Sequence, residues 1–260
     1  MHTALAAQTP SRTHAARPVP SRAATAPWGA DQRRAGQQIA DTLALLAEAL
    51  QPQRRVVHEG DAIYQAGEAF GTLYVLNSGI AKIVNLAGDG REQVVGLKFR
   101  GDWLGFDGIA RGHYACDAIA MDTGEVWSFR YDALLAACIG RPELLAAMHA
   151  AMSREITRDR DSLMSVCTLP ADARVADFLC FWADSLARRG LRTDQITLRM
   201  TRAEIGNHLG LTLETVSRAL SRLARDGLIA FNEKCRREVQ IPDAEALTAF
   251  VQRSLAPTLQ

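Results

Sequence analysis

The sequence predicts an α+β chain: an N-terminal β-roll, a long helix, then a C-terminal winged helix-turn-helix. Three observations point there. Between residues 54 and 131, short apolar runs alternate with glycine-containing turns, the pattern of an antiparallel sandwich or barrel. Apolar residues then recur at heptad spacing up to about residue 168, as along a helix that pairs with another. Finally, two short capped helical patterns flank Gly210 and precede a hairpin pattern with basic residues between its strands. These shifts divide the chain into a tail (1–35), the roll (36–135), a pairing helix (136–168) and the winged helix (169–260).

The tail is rich in Ala, Pro, Ser, Thr and Arg and poor in large apolar side chains. Such a segment buries too little surface to offset its ordering entropy and is expected to be disordered. Its arginines, Arg12, Arg17, Arg22, Arg33 and Arg34, belong to a solvated tail, the alternative being loose contact with nucleic acid. Ile39, Leu43, Leu46 and Leu50 then carry helical spacing. In the roll, runs such as Leu73-Tyr74-Val75-Leu76 and Ala81-Lys82-Ile83-Val84 are cut by turns at Gly60-Asp61, Asn77-Ser78-Gly79, Gly88-Asp89-Gly90 and Gly101-Asp102.

From Tyr131 to Thr168 the pattern is helical, with a break expected near Gly140-Arg141-Pro142. Leu145, Met152, Asp159 and Val166 fall seven apart, and His149, Ile156 and Leu163 fill the companion positions. That seam predicts a homodimer. A charge on a seam weakens pairing while fixing register, so Asp159 is read as keeping the dimer marginal; the other reading leaves it in solvent. Beyond Pro170 another amphipathic helix ends at Arg188-Arg189-Gly190, and an extended stretch follows from Gln195 to Met200.

Thr201-Arg202-Ala203-Glu204 has the form of a capping box. Ile205 and Leu209 give the short helix its apolar face, and Gly210 stands where a tight turn needs positive φ. Thr212 caps a second helix, whose Val216, Leu220 and Leu223 pack back on the first. Glu214, Thr215, Ser217, Arg218, Ser221 and Arg222 are left on its outer face. Such a helix fits the major groove of double-stranded DNA: Arg218 suits a guanine edge, Glu214 an amino group of cytosine or adenine, and Ser217 a polar edge or a thymine methyl. Arg202 and Thr212 complete the DNA-facing set. Gly227 to Phe231 and Glu238 to Ile241 form the hairpin, with Lys234, Arg236 and Arg237 placed to hold phosphates.

Composition narrows the alternatives. The net charge is +1, so a DNA-binding face must concentrate positive charge locally. No transmembrane run and no secretory signal stand out. Five cysteines at 116, 138, 167, 180 and 235 form no CxxC pair; scattered thiols fit a reduced, cytoplasmic protein and read as small core fillers. Cys235, beside Lys234 and Arg236, has a redox reading and an inert one. No Gly-rich phosphate loop, Gly-x-Ser-x-Gly or His-Glu-x-x-His is found, so no enzyme is expected.

The run from Arg202 to Arg218, with its Glu214-x-x-Ser217-Arg218 pattern, closely resembles the helix-turn-helix of the CRP/FNR family of bacterial regulators, in its FNR-like form. Gly101-Asp102-Trp103-Leu104-Gly105-Phe106-Asp107 and the helix from Glu155-Ile156 extend the resemblance over about 55 to 250. It implies a cyclic-nucleotide-binding-like roll, a dimer helix and a winged helix. It further implies an inverted repeat like TTGAT-N4-ATCAA read by Glu214, Ser217 and Arg218. RNA polymerase, through its sigma and alpha subunits, would be the protein partner, with Asp89, Gly90 and Arg91 facing sigma. The chain departs from the family's sensors. No cysteine precedes Gln51, and Trp127 takes the place of the roll cysteine, so no iron–sulphur cluster is expected. The nucleotide-holding pairs are missing too; Arg111 alone is a phosphate partner or a surface arginine. No cofactor is therefore expected. An alternative gives the roll haem, nitric oxide or another small ligand, with His58, His113 and His149 as haem candidates or as ordinary histidines.

Overall fold

The computed structural model describes residues 30–86, 88, 90–232 and 235–255, the side chains of 30–33, 235 and 236 excepted. Most of the expected tail lies outside them. The first helix, α1 (Ala30–Leu50), begins before the boundary set at 35, which is thereby corrected. Ala30-Asp31-Gln32-Arg33-Arg34-Ala35 holds no proline or glycine, so nothing stops the helix short of them.

Among the described residues the roll holds eight strands: β1 (Gln53–Val57), β2 (Ala62–Tyr64), β3 (Thr72–Ser78), β4 (Ile80–Leu86), β5 (Glu92–Phe99), β6 (Trp103–Leu104), β7 (Asp117–Ala120) and β8 (Gly124–Arg130). They form two antiparallel sheets, in the orders β1-β8-β3-β6 and β2-β7-β4-β5. At Gly79 (φ 88°) the chain passes from one sheet to the other, and a Cβ there would lie 2.9 Å from the Gly124 Cα. Only two glycines let these backbones approach so closely. Between the sheets Leu76, Ala81, Leu104 and Val126 are buried, while Leu43 and Leu46 of α1 pack on Leu73, Trp103 and Phe129 from outside.

The helical stretch breaks at Arg141, as the glycine and proline require, into α2 (Tyr131–Gly140) and α3 (Pro142–Thr168). The pairing helix thus starts at Pro142; residues 136–140 belong to α2. Leu144, Met148 and Ala151 bury one side of α3 against the roll.

The C-terminal head comprises α4 (Ala171–Ala187), β9 (Gln195–Thr197), α5 (Arg202–Leu209), α6 (Leu213–Arg225), β10 (Ala230–Asn232), β11 (Cys235–Gln240) and α7 (Ala244–Leu255). The wing is a sheet in the order β10-β11-β9. Its core of Phe178, Trp182, Ile205, Val216, Leu220 and Val239 is continuous with Val94, Leu97 and Phe99 of the roll. Head and roll therefore share one apolar interior. Among the described cysteines, Cys116, Cys138 and Cys180 are half-buried and pack against the three apolar clusters, whereas Cys167 is exposed and fills no core.

Candidate nucleic-acid interface

Both helices of the motif are capped as their sequences demand. Thr201 Oγ1 accepts from the Glu204 amide at 3.2 Å, and Glu204 Oε2 accepts from the Thr201 amide at 2.8 Å. Gly210, at φ 65°, ends α5. Thr212 Oγ1 accepts from the Thr215 amide at 3.2 Å and starts α6. The two helices meet so tightly that a Cβ on Gly206 would lie 2.6 Å from the Leu211 carbonyl oxygen. Val216, Ala219, Leu220 and Leu223 are buried.

Opposite that seam, α6 exposes Glu214, Arg218, Ser221 and Arg222, whereas Thr215 and Ser217 are half-buried, less open than expected. Each sits beside a buried position of the helix, and Thr215 is also drawn in by Thr212, 3.0 Å away. Glu214 is held below the ordinary glutamate value by the amide of its own residue, then by the Thr212 hydroxyl and the Arg218 charge. It is therefore an acceptor at neutral pH, as an amino group of a base requires. Arg222 makes an ion pair with Asp172 of α4, so holding a phosphate means exchanging that carboxylate. The Arg202 guanidinium lies 5.4 Å from the centre of the Phe231 ring and joins α5 to the wing. Arg237 is exposed. Lys234 lies outside the described residues, as do the side chains of Cys235 and Arg236.

On α3 the expected seam is open. Leu145, Ile156 and Leu163 are exposed, Leu163 to 64%; Met152 and Val166 are half-buried, and Asp159 and His149 are exposed. A helix that offers solvent such a stripe loses the stabilisation its burial would bring. Gly90 and Arg91 are exposed in the turn between β4 and β5; Asp89 lies outside the described residues.

A cavity of about 720 Å³ lies between the roll and α3, lined by Tyr64, Asp107 and Cys116 on one side and by Glu155 and Ser162 on the other. Tyr64 stacks on Tyr114 at 4.2 Å and on Tyr74 at 5.5 Å. Asp107 Oδ2 accepts from the amides of Ala115, at 2.8 Å, and Cys116, at 3.2 Å. Arg111 is exposed. Burial, then Asp107 and Asp117, push the Cys116 thiol up to about 11, against the thiolate form that iron demands. Trp127 is buried and donates from Nε1 to Glu125. Among the described residues no three His, Cys, Asp or Glu side chains are grouped to hold a metal. His58, His113 and His149 all lie exposed, where haem would gain no apolar cover.

Three contacts between roll and head escaped the reading of the sequence. Asp102 is buried and accepts from Arg189 at 3.0 Å and Arg158 at 3.1 Å. Lys82 pairs with Glu204 at 2.5 Å. Asn207 and His208 bond to the backbone of β5. Only Asp102 had a sequence signal, its place after Gly101 in a turn; polar residues on a short helix give no sign of which neighbour they meet.

The comparisons with known proteins agree with this geometry. The cyclic nucleotide-binding domain model matches residues 54–140, and the Crp-like helix-turn-helix domain model matches 173–250. The fumarate and nitrate reduction regulatory protein of Salmonella typhimurium is 33% identical over 198 residues, 76% of this chain and 78% of that protein. Its Escherichia coli namesake is 34% identical over 182 residues, 70% and 73% of the two chains. Among solved structures, FixK2 from Bradyrhizobium japonicum superposes with a TM-score of 0.67 at 26% identity, covering 76% of this chain and 96% of that one. A CRP-family transcriptional regulator from Thermus thermophilus gives 0.63 at 26%, covering 78% and 98%. The Salmonella, Escherichia and Thermus proteins are regulators, not enzymes, and among the described residues no helix is long and apolar enough to cross a membrane. With a cyclic-nucleotide-binding-type roll, a dimer-type helix and a Crp-like head in this order, the chain belongs to the CRP/FNR family of DNA-binding transcription regulators.

Proposed function

We propose that this regulator binds, as a homodimer, an inverted repeat resembling TTGAT-N4-ATCAA in the cytoplasm, and does so without an iron–sulphur cluster. The observation that carries the reading is the outer face of α6. Glu214 and Arg218 stand exposed near its capped N-terminal end, with Ser217 between their turns. An ionised Glu214 supplies an acceptor and Arg218 a two-pronged donor, which suit cytosine or adenine and guanine edges. Wing cations and Arg202 supply phosphate contacts. Two heads are brought together by the open stripe on α3, at which Asp159 limits the strength of pairing. The turn at Gly90 and Arg91 meets RNA polymerase.

Absence of the cluster rests on the donor set. The residues before Gln51 hold no cysteine, and Cys116 favours its protonated form. Control then falls to protein concentration, to another effector or to oxidation of a thiol; concentration alone can suffice, since occupancy by a weakly paired dimer rises steeply with it.

The test is binding of the aerobically purified protein to a duplex bearing TTGAT-N4-ATCAA, beside a scrambled duplex. Selective binding without added iron is expected. Equal affinity for both duplexes overturns the operator assignment, and a stoichiometric cluster formed on adding iron and sulphide overturns the cluster-free reading.

A further inference from the structure

The head is attached to the roll at more points than its chain connection. β5 is the outermost strand of its sheet, so its outward backbone groups have no strand to pair with. Asn207 takes the place of that strand. Its Nδ2 donates to the Glu92 carbonyl at 2.7 Å and its Oδ1 accepts from the Val94 amide at 2.6 Å. Gln93 Nε2 donates in return to the Asn207 carbonyl. One residue along, His208 Nδ1 donates to the Val94 carbonyl at 3.0 Å. Lys82, on the neighbouring β4, holds Glu204 at the opposite end of α5. Beneath these polar contacts Val94 and Leu97 join Ile205 and Leu209 in one apolar cluster.

Further attachments lie elsewhere: Arg199 pairs with Asp122 at 3.8 Å, and Phe99 packs edge-on against Phe181 and Trp182 of α4. Arg189, just past α4, is fixed to Asp102 in the β5–β6 turn, and the chain itself links α3 to α4 through Leu169 and Pro170. The α5–β5 contact differs from these in gripping the helix that packs against α6. Because α6 lies against α5 at the close approach of Gly206 and Leu211, fixing α5 fixes the reading helix as well.

We infer that the seating of Asn207 on the edge of β5 sets the distance and angle between the two reading helices of the dimer, and so decides which half-site spacing the protein accepts. Asn207 is a positioning residue: it acts through α6 and touches no base. The inference rests on the DNA-reading homodimer of the preceding section. Each added base pair shifts one half-site by about 3.4 Å and turns it by about 35°. A rigid pair of heads tolerates little of that, whereas heads able to turn on their tethers follow it.

The experiment measures binding of the full-length dimer to duplexes with two TTGAT-type half-sites separated by two to seven base pairs, and to a duplex with a single half-site. Wild type is expected to favour one spacing by about tenfold or more over its neighbours. In Asn207→Ala that preference should flatten to within about threefold, with single-half-site affinity unchanged. The double variant Lys82→Ala/Gln93→Ala weakens the same contact from the roll side and leaves the head's sequence intact; it should flatten the profile too, and it carries the test if Asn207→Ala unfolds. A spacing preference kept by the folded variants overturns the inference and leaves the operator assignment standing. Tighter binding with an unchanged preference also overturns it, since the contact would then be a brake. Wild type that binds no spacing selectively overturns the operator assignment, and this inference with it.

Discussion

Arg189 and Asp102 meet at 3.0 Å in the buried seam between head and roll, where Arg158 of α3 reaches the same carboxylate. Burial alone would raise the Asp102 pKa, but Arg189, Arg158 and then Lys98 outweigh it and hold the group below the ordinary aspartate value. Burial likewise lowers Arg189, to about 10, which leaves it charged at neutral pH. Three parts of the molecule thus converge on one carboxylate. Asp102→Asn keeps the shape and removes the charge, leaving Arg189 buried without its counter-ion. A loss of about 3–5 kcal/mol is expected, since breaking a buried pair strands the remaining charge; chemical unfolding of the variant beside wild type checks it. The carboxylate's contribution is present above the unfolded pKa and fades as pH falls through the lower folded one, so it is lost only below about pH 4.

His208 responds at milder pH. Burial lowers its pKa, partly offset by the bond to the Val94 carbonyl, and its ring lies against Phe178 at 5.9 Å between centres. A histidine whose folded pKa is depressed lends stability above its unfolded value of about 6.5, and that stability is lost as pH falls through the folded pKa. Protonation should therefore loosen α5 from β5 under weakly acidic conditions. Protection of the Val94 amide, corrected for the intrinsic exchange rate, is expected to fall in wild type as pH drops below about 6.5. It should be much less pH-dependent in His208→Gln. Equal pH dependence in both proteins would assign the effect to another group.

Much of this was legible because the signals are local. The capping box at Thr201 and Glu204, the turn at Gly210 and the apolar face of Val216, Leu220 and Leu223 each follow from neighbours within one or two turns of helix. The break at Arg141 follows from Gly140 and Pro142. What escaped is non-local. Arg189 reads as a basic residue near a helix end, yet it turns inward because Asp102, 87 positions earlier, waits there. Asn207 and His208 look like solvent-facing positions of α5 until β5 is laid against them. Arg222 falls on the outer, DNA-facing side of α6 by its spacing, yet Asp172 pairs with it across two helices.

Gly206 shows how little space the turn of the head allows. A Cβ there would meet the Leu211 carbonyl oxygen at 2.6 Å and the Thr212 carbonyl carbon at 3.3 Å, both backbone atoms that cannot step aside as a side chain would. Although alanine favours helices, Gly206→Ala should push α5 and α6 apart and destabilise the head by about 1–3 kcal/mol. Thermal unfolding reports the loss. An unchanged or raised melting temperature would mean that the two helices tolerate a wider separation.

The stripe on α3 makes an opposite pair of predictions. Leu163 is largely exposed in the single chain, and Leu163→Ser should shift the monomer–dimer equilibrium toward monomer. Asp159 stands on the same heptad track as Leu145, Met152 and Val166. Replacing it with leucine removes charge repulsion across the seam and adds apolar contact. Asp159→Leu should then tighten dimerisation about tenfold or more, a gain of roughly 1.4 kcal/mol or above. Sedimentation equilibrium measures both. Tightening by Asp159→Leu with no effect of Leu163→Ser would place the seam on a different face of the helix.

Arg218 decides whether α6 reads bases or only holds phosphates. Its side chain is exposed one helical turn along from Glu214, which makes the two neighbours on the outer face of α6. A bidentate contact with one guanine per half-site makes Arg218→Ala cost about 1–3 kcal/mol and lose preference at that base pair alone. A phosphate contact would weaken specific and random DNA alike and lower the salt dependence of both. Competition binding with every single-base variant of the half-site separates the outcomes. Discrimination lost at one guanine, and kept elsewhere, identifies Arg218 as a base reader; a uniform fall across all sequences returns it to the phosphate backbone.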